Sequence, residues 1–102
     1  MDIKYKNSTN SLTVFVSGEL DEYSSSNAKN ILDHLFDTVG HNKSIVFDLS
    51  ELTFMDSTGI GLLIGRYKKL SKFSVPIYLH GASPSIEKVL HLSGLYQIMP
   101  KI

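Results

Sequence analysis

The sequence predicts an α/β fold, a small mixed β-sheet of about four strands with helices packed mainly on one face. Three observations lead there. Ser44-Ile45-Val46-Phe47-Asp48-Leu49 is a short, nearly continuous apolar run of the kind that fits a strand buried on both faces of a parallel sheet. Shortly after it, Ile60, Leu63, Ile64 and Tyr67 recur at the spacing of a helical stripe. Strand-like and helix-like segments alternate along the chain, and crossovers of that length give parallel neighbours with a right-handed connection.

The first segments read as a hairpin followed by a helix. Ile3-Lys4-Tyr5, followed by the polar cluster Asn7 to Ser11, is a first strand and its turn. Leu12 to Ser17 is the second strand. Leu12, Val14 and Val16 share one face and Phe15 takes the other, which places the hairpin at or near a sheet edge. Gly18-Glu19-Leu20-Asp21 ends that strand and turns into a helix, for which Ser24, Ser25 and Ser26 are alternative caps. Ala28, Ile31, Leu32, Leu35, Phe36 and Val39 form the helix's apolar face, while Lys29, Asn30, Asp33 and Asp37 form its wetted one. Gly40 is its stop.

The buried strand from Ser44 then runs through a loop into the central helix. Asp56, Ser57 and Thr58 are all good N-cap residues there, and Lys68, Lys69 and Lys72 complement the dipole at its far end. Val75 to Gly81 is a further strand, whose Pro76 suits only the strand's start or an edge. Ser83-Pro84 is an N-cap with proline at the first helical position, and it opens a third helix buried through Ile86, Val89 and Leu90 and ended by Gly94. Leu95 to Pro100 is a short apolar tail that fits a last strand segment.

Length and composition narrow the function. A chain of 102 residues without internal repeat or linker is one domain, residues 1–102. Ten basic and ten acidic side chains give a net charge of +0, without the basic excess or stripe of a nucleic-acid binder. The absence of cysteine removes disulfides, thiol catalysis and cysteine metal sites, and it fits a cytoplasmic protein. His34, His41, His80 and His91 lack metal-ligand spacing. No run approaches a membrane span, and Met1-Asp2-Ile3-Lys4 does not open a secretory signal, so any work at a membrane goes through a partner. Monomer is the default for so small a neutral domain.

The stretch around which the chain is organised is Phe54-Met55-Asp56-Ser57-Thr58-Gly59-Ile60-Gly61. A hydroxyl between a strand and a helix start sits where unpaired backbone N–H groups and the positive helix end converge, an environment that tolerates a phosphate. Gly59 and Gly61 carry no side chain that would hinder an approaching molecule. Ser57 is no hydrolase nucleophile, because the elbow requires glycine two residues to each side and one of those positions is Met55. A phosphate-cradling loop is also absent, since no lysine follows Gly61. Spacing alone leaves helix capping and a functional hydroxyl equally open for Asp56-Ser57-Thr58. Glu19 and Asp21 stand at another strand's carboxyl end, where ligands and partners meet parallel sheets, so they are expected to share a surface with Ser57. For Asp21 the plain alternative is a turn aspartate capping the first helix.

Taken in order, Gly18-Glu19-Leu20-Asp21, the Phe54 to Gly61 stretch, Gly65-Arg66-Tyr67-Lys68, Ser83-Pro84 and Ser93-Gly94-Leu95 resemble the anti-sigma factor antagonists of bacteria, which are STAS domains. The Gly-Arg-Tyr-Lys and Ser-Gly-Leu elements most resemble the sporulation-type, sigma-F antagonists. Each tetrapeptide alone is weak, while the ordered set spans nearly the whole chain. The resemblance implies a non-enzymatic switch. Ser57 would be phosphorylated by an anti-sigma factor that is also an ATP-dependent serine kinase, and the unphosphorylated form would bind that kinase and free the sigma factor. ATP and magnesium would belong to the partner, with no cofactor or metal in this chain, and a phosphatase would reset Ser57. The implied partner surface comprises Glu19, Asp21, Tyr23, Asp56, Ser57, Thr58, Gly59, Ile60 and Gly61. Family members usually continue past the segment equivalent to Leu95–Ile98 into a final helix, which this chain is expected to lack. Two rival readings remain: a non-switching STAS scaffold or transporter-associated subunit with Ser57 as a mere cap, and a nucleotide-binding domain.

Overall fold

A computed structural model describes residues 1–102. Its elements are β1 (Asp2–Asn7), β2 (Ser11–Leu20), α1 (Ser25–Val39), β3 (Ser44–Asp48), β4 (Leu52–Met55), α2 (Ser57–Ser71), β5 (Ile77–His80), α3 (Pro84–Ser93) and α4 (Leu95–Ile98). β1 and β2 form the expected antiparallel hairpin, with Ile3 opposite Val16 and Tyr5 opposite Val14. β2 then pairs in parallel with β3, and β3 with β5, giving the order β1-β2-β3-β5. The sheet is mixed, as expected.

It has five strands, where about four were expected. The segment read as a plain loop between β3 and the central helix contains β4, which pairs in parallel with the last residues of β2, Glu19 opposite Phe54 and Leu20 opposite Met55. β2 is correspondingly longer than expected. It does not end at Ser17 but shifts register between Gly18 and Glu19 and runs on to Leu20, so its first half serves β3 and its last residues serve β4. Gly18 adopts a φ of 82°, which favours glycine and accommodates the irregularity.

One face of the sheet makes the core. Leu12, Val14 and Val16 of β2, Ile45 and Phe47 of β3, and Ile77 and Leu79 of β5 are buried on it with Leu32, Phe36, Leu63, Leu70 and Leu90 from the helices. Strand residues of the other parity, Lys4, Thr13, Phe15, Val46 and Tyr78, are exposed or half-buried, which leaves that face without a helix layer. The tail differs from expectation: Leu95 to Ile98 is helical, and Gly94 at φ 79° serves both as the end of α3 and the start of α4. Edge pairing comes later, where Lys101 bridges Leu79.

α1 also corrects the sequence reading. Asp33 does not face open water, because α2 docks beside it and places Arg66 Nη1 3.1 Å and Lys69 Nζ 3.4 Å from its carboxylate. Arg66 is only 7% exposed. Its Nε lacks an acceptor, so the guanidinium is held by charge proximity more than by hydrogen bonds.

Candidate functional site

Parallel pairing of β2 and β4 delivers two strand-to-helix connections to the same edge of the domain. The β2–α1 turn supplies Glu19 to Tyr23 and the β4–α2 junction supplies Asp56 to Gly61. They are fastened to each other, since the Asp56 amide donates to the Leu20 carbonyl at 3.3 Å. The Thr53 hydroxyl adds a bond to the Gly18 carbonyl at 3.0 Å.

Asp56 is the N-cap of α2. Its backbone is extended, and its Oδ1 accepts from the amides of Thr58 at 2.9 Å and Gly59 at 3.1 Å, while its carbonyl accepts from Ile60 at 3.0 Å. The amides of Thr58, Gly59 and Ile60 at this helix start are therefore already occupied. Ser57 falls at the first helical position, exposed and with no hydrogen-bond partner for its hydroxyl within the chain. Thr58 is exposed beside it.

The two glycines expected to leave the approach open separate into different roles. Gly59 is buried, and a Cβ there would stand 2.5 Å from the Leu20 carbonyl oxygen and 2.8 Å from Met55 Cγ. It is the residue that lets α2 sit on the end of β2, not a clearing for a visitor. Gly61 is exposed, and a Cβ there would meet nothing within 4 Å, as expected of an open surface. Ile60 is half-buried against the core.

Asp21 is chiefly a turn residue. Its Oδ1 accepts from the amides of Tyr23 at 3.0 Å and Ser24 at 3.1 Å, and its own amide donates to Ser24 Oγ at 3.0 Å. Ser24 Oγ in turn donates to the Glu19 carbonyl at 2.8 Å, and Ser25 Oγ donates to the Asp21 carbonyl. The side chains of Glu19 and Tyr23 remain outside this network, and Tyr23 is 87% exposed. Sequence reasoning left one neighbour out of the expected surface. Phe54, opposite Glu19 in the β2–β4 pairing, is 48% exposed. The signal for it was a large apolar residue between Leu52 and Met55, both of which the core consumes.

The Tyr96 phenol is pushed up by burial and then by the Glu87 charge, and the Lys101 ammonium is held on by its hydrogen bond to Glu87. No three His, Asp or Glu side chains come together to hold a metal ion. No helix is long and apolar enough to cross a membrane.

Against known families, residues 2–102 match the STAS domain. The chain is 35% identical over 89 residues to the anti-sigma F factor antagonist of Paenibacillus polymyxa, covering 87% of this chain and 75% of that one. It is 31% identical over 91 residues to the anti-sigma-B factor antagonist of Listeria monocytogenes, covering 89% and 78%. Among solved structures it resembles the anti-sigma factor antagonist SpoIIAA in its unphosphorylated form, with 26% identity and a TM-score of 0.68 over 89% of this chain and 83% of that one. The phosphorylated form of the Bacillus cell fate determinant SpoIIAA gives 26% identity and a TM-score of 0.71 over 99% and 91%. The chain belongs to the STAS domain family, in its anti-sigma factor antagonist branch.

Proposed function

We propose that this protein is a cytoplasmic anti-sigma factor antagonist of the sporulation type that works by partner switching through Ser57. One observation carries the reading: Ser57 stands exposed at the first position of α2 with its hydroxyl free, while Asp56 alone caps the helix. The hydroxyl is thus available to a kinase without disturbing a structural bond. A scaffold reading in which Ser57 serves only as a cap loses its support, since the cap is the neighbouring residue.

On this reading the chain is a substrate and switch, not a catalyst. The anti-sigma factor brings the kinase activity with its ATP and magnesium, and a phosphatase restores the serine. Glu19, Tyr23, Phe54, Ser57, Thr58 and Gly61 form the outer surface of contact, while Asp21, Asp56 and Gly59 hold its shape. Phosphorylation adds roughly 1.5 to 2 negative charges at a point the kinase must bring close to nucleotide phosphates. Truncating or mismatching a buried interfacial charge costs on the order of 2 to 5 kcal/mol, a loss of about thirty-fold to several thousand-fold in affinity.

The test is intact-mass measurement and peptide mapping after incubation with the candidate anti-sigma kinase and magnesium-ATP, beside Ser57→Ala. A single phosphate on Ser57, absent from the variant, is the expected result. Ser57→Ala should bind the kinase and resist inactivation, and Ser57→Asp should bind weakly. Equal binding by both variants would refute the switch.

A further inference from the structure

We propose that Asp56 is a positioning residue of the switch: its carboxylate fills the amide cradle at the start of α2, denies that cradle to a phosphate on Ser57 and so holds the phosphate out in solvent. The inference rests on the proposed modification of Ser57 and deepens it.

A phosphate in the first turn of a helix ordinarily gains from the exposed N–H groups and the positive end of the dipole. Folded back in that way, it would satisfy its charge inside its own molecule. Here the amides of Thr58 and Gly59 already donate to Asp56 Oδ1, at 2.9 Å and 3.1 Å. At those two amides a second anion one residue along the chain meets a carboxylate where it would otherwise meet donors.

Neither segment of this edge supplies a counter-charge, and on α3, which packs against β4, the charged groups are Glu87, Lys88 and His91, of which Glu87 is paired with Lys101 and lies 3.8 Å from His91. The Gly18 to Tyr23 turn carries Glu19, Asp21 and Glu22, and neither it nor the Asp56 to Gly61 segment contains a lysine, arginine or histidine. The Asp21 carboxylate has likewise taken the free amides of its own turn, Tyr23 and Ser24. The first basic residue along α2, Arg66, is buried beside Asp33. With no counter-charge in either segment, a phosphate on Ser57 keeps its full charge and its exposed position. The capping bonds fix the helix start, and the carboxylate's charge fixes where the phosphate goes.

Those two roles separate in Asp56→Asn, because asparagine caps about as well as aspartate but is neutral. The experiment installs phosphoserine at position 57 during synthesis in the parent and in Asp56→Asn, then follows its second ionisation by phosphorus NMR. A free phosphoserine titrates near pH 6 (roughly). In the parent the ionisation is expected at or above that value, since a nearby carboxylate disfavours the dianion. In Asp56→Asn it should fall by about half a pH unit or more, because the cap no longer repels the dianion and, being neutral, yields the amides to it more readily.

Identical titrations in the two proteins, or a parent value already well below that of free phosphoserine, would overturn the proposal. Thermal unfolding midpoints confirm that both proteins are folded, and Asp56→Ser, another good N-cap, provides the same comparison if asparagine is not tolerated. Because no kinase is needed, the titration reports on Asp56 alone. A kinase that leaves Ser57 unmodified would count against the proposed function instead.

Discussion

The two strand-to-helix connections at the functional edge solve the same problem in opposite ways. In the β2–α1 turn the hydroxyls are consumed: Ser24 and Ser25 bond to the carbonyls of Glu19 and Asp21, and Asp21 closes the loop on two amides. At the β4–α2 junction one aspartate does all the capping and the adjacent serine is left over. A serine near a helix start is informative when something else has already taken its structural role.

That contrast is broken most severely at Gly59. A methyl group there must displace the Leu20 backbone or unseat α2, so Gly59→Ala should destabilise the fold by about 2 to 3 kcal/mol despite alanine's better helix propensity. Urea unfolding measures it, and a neutral result would mean that α2 does not rest on β2. Next comes Asp21→Ala, which strips two amides of their acceptor and should cost about 1 to 2 kcal/mol by the same assay. A smaller effect of opposite sign is expected at Gly61→Ala: an exposed helical glycine with open space around it should gain about 0.5 to 1 kcal/mol. Destabilisation there would show that the outer face of α2 is not free. The smallest change belongs to Ser57→Ala, whose hydroxyl bonds to nothing, and its melting curve should match the parent's to within about 0.5 kcal/mol. A loss of 1 kcal/mol or more would make Ser57 a cap after all and erase the difference between the two connections.

Much of this was legible in the sequence, for reasons that can be named. The hairpin, α1, the stripe of α2 and the Ser83-Pro84 start of α3 are long enough for their periodicities or caps to speak, and the structure has each of them. β4 was hidden because it is four residues long and its burial does not alternate: Leu52 and Met55 are inside while Thr53 and Phe54 are out. α4 is equally short, and an apolar run of that length does not distinguish helix from strand. The burial of Arg66 against Asp33 was invisible for a different reason. Asp33 lies on the polar side of α1 while Arg66 shares the buried face of α2 with Leu62, Leu63 and Leu70, and only the docking of α1 on α2 brings the two charges together. At the site, the residue types pointed to the right loops but could not divide the labour between Asp56 and Ser57, or between Gly59 and Gly61. Which hydroxyl is spare depends on where the amides point.

The Leu20 carbonyl is the common anchor of both connections, receiving the Asp56 amide and lying against the bare α-carbon of Gly59. On the proposed function this joint makes the molecule a memory element whose record is a single phosphate beside a fixed helix start. The record is written by one enzyme and erased by another. Its lifetime belongs to the pair of catalysts that address it.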